Sequence, residues 1–202
     1  MTQDMTSTQI SRRTIESYEG FADEYAGLGN PFPPANVEAA LRMVAVTIPP
    51  DGTILEIGSG PGWEADFIET LGVSVRRTDA TRRFLELQAA RGKKAELLNV
   101  ITDQLGGPFE AIVALCVLIH VPRDDIDHVL RKIAEALCAS GAFLVSMREG
   151  DGEDTGNYHT VYWRRDEFAA RIEAAGFTIE WDEHSVDCDN DLWITFLARR
   201  ST

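Results

Sequence analysis

The sequence has no apolar run near the roughly 20 residues needed to cross a bilayer, no CxxC pair, no low-complexity tract and no internal repeat. The first absence gives no reason to expect a membrane partner. The second argues against a zinc site or a dithiol redox motif. Cysteine is scarce: Cys116, Cys138 and Cys188 form an odd, widely spaced set, read as reduced and partly buried thiols. Basic residues are also few, with 19 Lys plus Arg against 33 Asp plus Glu, for a net charge of −14. A field of that sign repels a phosphate backbone, so nucleic acid is not expected as a partner. The pairs Arg76–Arg77, Arg82–Arg83 and Lys93–Lys94 are short and spread out, and read as solvated surface. The stretch Met1 to Ser11 is polar and lacks a positive-then-apolar leader, from which a cytoplasmic location is expected. No oligomeric state is read from the pattern.

What is present suits one domain. The 202 residues, 44% of them hydrophobic, can bury one sizeable core and are too few for two ordinary ones. Residues 9 to 27 carry Ile10, Ile15, Tyr18, Phe21, Ala22 and Tyr25 at helical spacing. Gly29-Asn30-Pro31-Phe32-Pro33-Pro34 breaks that helix, and a second follows over about 35–47. We divide the chain accordingly into N-terminal cap or lid helices, 9–47, and a core, 48–202.

In the core, strand and helix patterns alternate. Strands are expected at 53–57, 73–78, 95–98, 111–117 and 142–146, and helices at 63–71, 82–91, 124–139 and 166–175. The run 111–117 is the most continuously apolar, as a central strand buried on both faces should be. Strands at 177–181 and 192–198 form a hairpin around Asp187-Cys188-Asp189-Asn190-Asp191. The expected fold is α/β: a Rossmann-like, open, mostly parallel seven-stranded sheet with helices on both faces and a C-terminal antiparallel hairpin. Ligands bind such sheets beyond the carboxyl ends of the strands.

At that edge, Glu56-Ile57-Gly58-Ser59-Gly60-Pro61-Gly62 joins the first strand to the first core helix. Glycines there let a ligand press on bare backbone beside unpaired helix N–H groups. Asp79 closes the second strand, where a carboxylate can accept both hydroxyls of a ribose. Loop and acid together point to a nucleoside cofactor. A dinucleotide loop wants a third glycine where Trp63 stands, which disfavours a nicotinamide oxidoreductase, and no Gly-Lys-Ser/Thr phosphate loop is present. The loop suits a cofactor without phosphates.

With Ile54-Leu55-Glu56-Ile57-Gly58-Ser59-Gly60-Pro61-Gly62, Asp79-Ala80-Thr81 and Leu118-Ile119-His120-Val121-Pro122, the chain resembles the class I S-adenosylmethionine-dependent methyltransferases over about residues 50–148. Tyr18-Glu19-Gly20-Phe21-Ala22-Asp23-Glu24-Tyr25 is similar to that family's lid helix. The resemblance implies S-adenosylmethionine as cofactor, S-adenosylhomocysteine as product, and a methyl acceptor. Glu56, Gly58, Ser59, Gly60 and Gly62 would cradle the methionine part, and Asp79 the ribose. Ala80 and Thr81 would lie beside the adenine, which Val100 would line. Asn99 stands where the family often has Asp, and can still accept from the adenine amine. The backbone near Cys116 would face the methionine amino group. The Asp/Asn-Pro-Pro-aromatic motif of DNA and protein-glutamine amino-methyltransferases is replaced by Cys116-Val117-Leu118-Ile119.

A methyl already activated on sulfur needs an aligned nucleophile, and a base only when the acceptor holds its proton. His120 is the catalytic candidate, as a base near pKa 6.5 or as a positioning group. Arg148 could bind a carboxylate, and the acids of 149–154 an amine; a solvated turn is the other reading. Tyr18, Tyr25, Tyr158, His159 and Tyr162 are candidate walls of the acceptor pocket. The segment from Asp187 lacks glycine at the sixth position of a calcium loop and has Ala198 in place of its last glutamate, so no metal site is expected. The favoured activity is methyl transfer to O or N of a small molecule. An RNA methyltransferase and a non-catalytic cofactor-binding subunit are the alternatives.

Overall fold

Side chains alternate between the two faces of a strand, and here both faces are apolar. Strands β1 (Thr53–Ile57), β4 (Phe109–Ala114) and β5 (Leu137–Arg148) send Leu55, Ile112 and Phe143 to one side and Ile54, Ala111, Val113 and Leu144 to the other. On the first side they meet Ile126, Val129, Leu130 and Ile133 of α5 (Arg123–Ala136) and Phe168 and Ile172 of α6 (Arg165–Ala174). On the second they meet Leu41 and Val44 of α2 (Ala35–Ala45) and Ile68 of α3 (Trp63–Thr70). Each fully buried aliphatic side chain of this kind stabilises the fold by about 1.5–3 kcal/mol before entropy is counted. The computed structural model describes residues 5–28 and 33–201. Residues 29–32 of the expected break lie outside them.

The main sheet has seven strands in the order β3-β2-β1-β4-β5-β9-β8. Strands β2 (Ser74–Asp79) and β3 (Ala95–Leu97) extend the parallel part beyond β1, with α4 (Arg82–Ala90) between them in sequence. The antiparallel hairpin β8 (Phe177–Val186) and β9 (Leu192–Arg200) completes the other end, with β9 against β5. The strand order reverses between β1 and β4. Helix α1 (Ser7–Leu28) crosses the carboxyl edge there. No helix among the described residues is long and apolar enough to cross a membrane.

Three sequence readings change. Leu137 continues the apolar stripe of α5 by spacing, yet it starts β5 and pairs with Phe109. Its extended backbone, φ −91° and ψ 148°, ends the helix at Ala136. Residues 115–117 leave β4: Cys116 turns to φ 57°, so the expected long strand stops at the site edge. The stretch after Arg148 forms a small hairpin, β6 (Glu153–Asp154) with β7 (Thr160–Val161), rather than a plain turn.

A fourth correction concerns charge. Arg77 is not solvated: it is 2% exposed. The β2 alternation turns it under α3, where it binds Asp66 and Glu69, each at 2.8 Å, while Arg76 pairs with Glu96 at 3.0 Å on the other face. Lys93 joins the same cluster through Glu69 at 2.6 Å. Of the thiols, all free, Cys116 and Cys188 are exposed and only Cys138 is partly buried.

Candidate cofactor and acceptor site

The turn after β1 is shaped from two directions. Gly62, at φ 88°, lies so close to its surroundings that a Cβ would stand 2.7 Å from Gln88 Oε1 and 2.8 Å from Arg77 Nη1. Gln88 of α4 donates Nε2 to Ser59 Oγ and to the Gly60 carbonyl, both at 2.8 Å, and so holds the turn from beneath. Above, Gly60 has φ 49° and nothing within 4 Å of where a Cβ would stand. That open space is the floor of a cleft enclosing about 800 Å³, mouth included.

Asp79 ends β2 at 7% exposure. Its Oδ2 accepts the Gly60 N–H at 2.8 Å, and its Oδ1 the Thr81 N–H at 2.7 Å. Burial raises its pKa, against the pull of those two donors. Each oxygen keeps a further lone pair for a hydroxyl on the cleft side. Beyond β3, Asn99 is fixed by its own loop: its N–H meets Asp103 Oδ2 at 2.9 Å and its Oδ1 accepts the Ile101 N–H at 3.0 Å. Beneath it, the 8%-exposed Lys132 of α5 donates to the carbonyls of Val100 and Ile101, at 2.8 and 3.3 Å. The Cys116 N–H donates to Ser146 Oγ at 2.9 Å. The Cys116 side chain opens only into the walled cleft, and desolvation there pushes the thiol up to about 11.

Helix α1 roofs the cleft through polar ties along its length. Asn99 Nδ2 donates to Ser11 Oγ at 2.9 Å, and the His159 N–H to Thr14 Oγ1 at 3.2 Å. Glu19 accepts the N–H groups of Arg82 and Arg83 at 2.7 and 3.0 Å, which caps the orphan donors of α4 from another helix. Asp23 binds Arg83 through both oxygens. Tyr25 stacks on Trp63, centroids 6.0 Å apart.

At the other end of the cleft, His120 Nδ1 lies 2.6 Å from the His159 carbonyl, and Nε2 lies 3.0 Å from Tyr18 Oη. A carbonyl only accepts, so Nδ1 carries the proton and Nε2 accepts from the Tyr18 hydroxyl. Burial lowers the imidazole pKa to about 4, with the nearby His159 and Arg148 adding to the fall, so it is neutral at pH 7. The change from the sequence reading is the lowering itself, from the unperturbed value near 6.5. Burial drives the Tyr18 phenol upward, so it stays protonated. Tyr158 stacks on Tyr18 at 5.3 Å.

The cleft walls therefore include Gly58, Gly60, Asp79, Ala80, Thr81, Asn99, Val100, Cys116, Tyr18, Tyr25 and His120. Glu56, Ser59 and Gly62 lie behind the turn, not on the walls. Glu56 is 3% exposed, one of its carboxylate oxygens is buried without a partner, and burial raises its pKa. Arg148, Tyr158, His159 and Tyr162 also lie off the walls. Arg148 pairs with Asp191, Glu149 meets His184 at 3.0 Å, and Asp151 binds Arg164, so these charges of the turn are engaged by partners outside it. The sequence reading missed Ser11, Thr14 and Phe84 as wall residues. Ser11 and Thr14 share the stripe of Tyr18 and Ala22 at helical spacing, a signal that counting only apolar residues overlooks. Among the described residues no group of three or more His, Cys, Asp or Glu could hold a metal ion.

Comparison with known proteins bears on the fold that carries this cleft. Residues 55–145 match a family model described as a methyltransferase domain. No curated protein matches the sequence. Among solved structures, the chain is similar to the 1,6-didemethyltoxoflavin-N1-methyltransferase of Burkholderia thailandensis, solved with 1,6-didemethyltoxoflavin and S-adenosylhomocysteine. The TM-score is 0.80 at 16% identity, over 100% of this chain and 93% of that one. It is similar also to the CcbJ methyltransferase of Streptomyces caelestis, at TM-score 0.76 and 16% identity, over 94% and 99% of the two chains. A third, the [4+2]-cyclase SpnF, has TM-score 0.72 at 14% identity, over 98% and 97%. The stretch matched to the methyltransferase domain lies on the doubly wound sheet described above, and the chain shares the fold of these S-adenosylmethionine-dependent methyltransferases.

Proposed function

We propose that the chain moves a methyl group from S-adenosylmethionine to an oxygen or nitrogen of a small-molecule acceptor. The observation that carries this reading is the roof: α1 closes over the cleft through Ser11, Thr14, Tyr18 and Glu19, and a roofed cleft favours a small acceptor over a polymer. The net charge of −14 supports it against RNA. In this reading the protein acts in the cytoplasm, with residues 9–47 as the lid and 48–202 as the core of one domain.

The residues present fit the cofactor. Gly60 leaves room where a Cβ would stand, Asp79 keeps lone pairs for ribose hydroxyls, and Asn99 and Val100 close the base end. When bound, the cofactor supplies a methyl group on a cationic sulfur. The chain's own part is to hold, orient and dry the reactants. His120 is neutral and its one lone pair is engaged by Tyr18, so in this arrangement it orients the phenol at the acceptor end. To take a proton directly it must first release Tyr18. Arg148, Tyr158, His159 and Tyr162 support that end from behind.

Thermal unfolding with S-adenosylhomocysteine and with NAD, followed by an acceptor screen with methyl-labelled donor, tests the proposal. We expect only the first ligand to raise Tm, and label to appear in low-molecular-weight products. Label transferred only to RNA would overturn it.

A further inference from the structure

The polar residues buried on α1 raise a question that packing does not answer. Ser11 is 6% exposed, and a buried hydroxyl is costly unless its hydrogen-bonding capacity is used. It lies on the cleft wall beside Asn99, Val100 and Ile101.

The Asn99 amide has a defined orientation. The Ile101 N–H points at one of its side-chain atoms, which must therefore be the acceptor Oδ1, so the atom 2.9 Å from Ser11 Oγ is the donor Nδ2. Ser11 Oγ thus receives a hydrogen bond, and its own hydroxyl proton has no acceptor among the described residues. Lys132 and Asp103 fix the loop on the core side, so the pair cannot relax by swinging away. Together, Ser11 and Asn99 offer the cleft one hydroxyl donor and the second lone pair of Oδ1. That set complements a purine edge bearing an amine next to a ring-nitrogen acceptor.

The amide matters here. A carboxylate at position 99 has no N–H to give Ser11, and would draw the serine proton to itself. Asparagine reverses the bond and leaves that proton for a ligand.

We propose that Ser11 is a base-reading residue, so that adenine is recognised across the junction between α1 and the β3 loop. This rests on the reading that the nucleoside base lies at the Asn99 end of the cleft. Nucleoside specificity is then shared between the core and a helix outside it.

Calorimetric titration tests this without an acceptor. The ligands are S-adenosylhomocysteine and its 1-deaza and 7-deaza analogues, which lack one or the other ring nitrogen flanking the amine. The proteins are wild type, Ser11→Ala, Asn99→Asp and Arg13→Ala. Arg13, tied to the Gly156 carbonyl, anchors α1 without lining the cleft. We expect wild type to bind one of the deaza ligands about 3- to 10-fold more weakly than the parent. Ser11→Ala should lose that same factor with the parent and nothing further with that analogue. Asn99→Asp should likewise lose the distinction between the parent and that analogue, and Arg13→Ala should change all three ligands alike. Wild-type affinity in Ser11→Ala, an equal loss for every ligand, or no deaza effect in wild type overturns the proposal. If wild type fails to bind S-adenosylhomocysteine at all, the cofactor assignment of the cleft falls first and the role of Ser11 falls with it.

Discussion

Tyr18 on α1 donates its hydroxyl to His120 Nε2 at 3.0 Å, and this bond joins the roof of the cleft to the carboxyl edge of the sheet. It also fixes which nitrogen of the imidazole is bare. The pKa of His120, lowered to about 4, has a consequence for stability. An unfolded histidine titrates near 6.5, so between about pH 6.5 and 4 the unfolded chain binds a proton that the folded one does not. Stability contributed by the neutral, buried ring is fully present above pH 6.5 and is lost as pH falls through that window, at up to about 1.4 kcal/mol per pH unit. Denaturant unfolding of wild type and His120→Gln at pH 7.5 and 5 should show the larger fall in wild type. The same burial means that the methyl-transfer rate should show no imidazole limb between about pH 5.5 and 7.5. An acidic limb near 6.5 that disappears in His120→Gln would return the histidine to the role of a free base.

Asp79 braces the glycine turn and the start of α4 at once, through Gly60 and Thr81. Asp79→Ala should weaken S-adenosylhomocysteine binding by roughly 1.5–3 kcal/mol, through lost charge-assisted hydrogen bonds and a loosened turn. Asp79→Asn, which keeps one acceptor, should lose less. An unchanged dissociation constant by calorimetry removes Asp79 from the site.

Arg77 is a buried cation facing two acids. Arg77→Met leaves Asp66 and Glu69 with only the partly exposed Arg91 and Lys93 as partners. We expect a loss of about 2–4 kcal/mol in equilibrium unfolding, part of it through the Gln88 contact that shapes the turn. A change under 0.5 kcal/mol would show that the exposed cations suffice.

Glu19 caps α4 from α1. Glu19→Ala should unfasten the roof while leaving the core folded. Hydrogen exchange over residues 10–28 should slow when wild type binds S-adenosylhomocysteine, and the variant should keep faster exchange in both states. Equal exchange in all four samples would mark α1 as fixed packing.

The parallel sheet and the ligand edge were legible because continuous apolar strands and a glycine turn leave strong local signals. Asp79 and the turn met through spacing alone. Less legible were residues whose role depends on distant partners. Arg77 looks like any surface arginine until β2 alternation sets it under α3. Ser11 looks like helix polarity until Asn99, 88 residues away, turns to it. Leu137 fits the helical period so well that only its pairing with Phe109 shows it to be strand. The local motif also misled in part: Gly62 and Ser59 belong to the glycine pattern, yet they answer to Gln88 and Arg77 rather than to the cleft.

Helix α1 lines the cleft along much of its length, from Ser11 at the proposed base end to Tyr18, about two turns on, at the proposed acceptor end. On the proposed reading, a single rod in contact with both ends makes the two ligands share one docking equilibrium. Whatever free energy the cofactor spends in seating α1 need not be spent again when the acceptor arrives. By reciprocity, the factor by which cofactor tightens acceptor must equal the factor by which acceptor tightens cofactor. Release is governed by the same equilibrium: product leaves a site whose roof is held down by the partner that remains. A ternary complex longer-lived than either binary one is the kinetic signature of that arrangement.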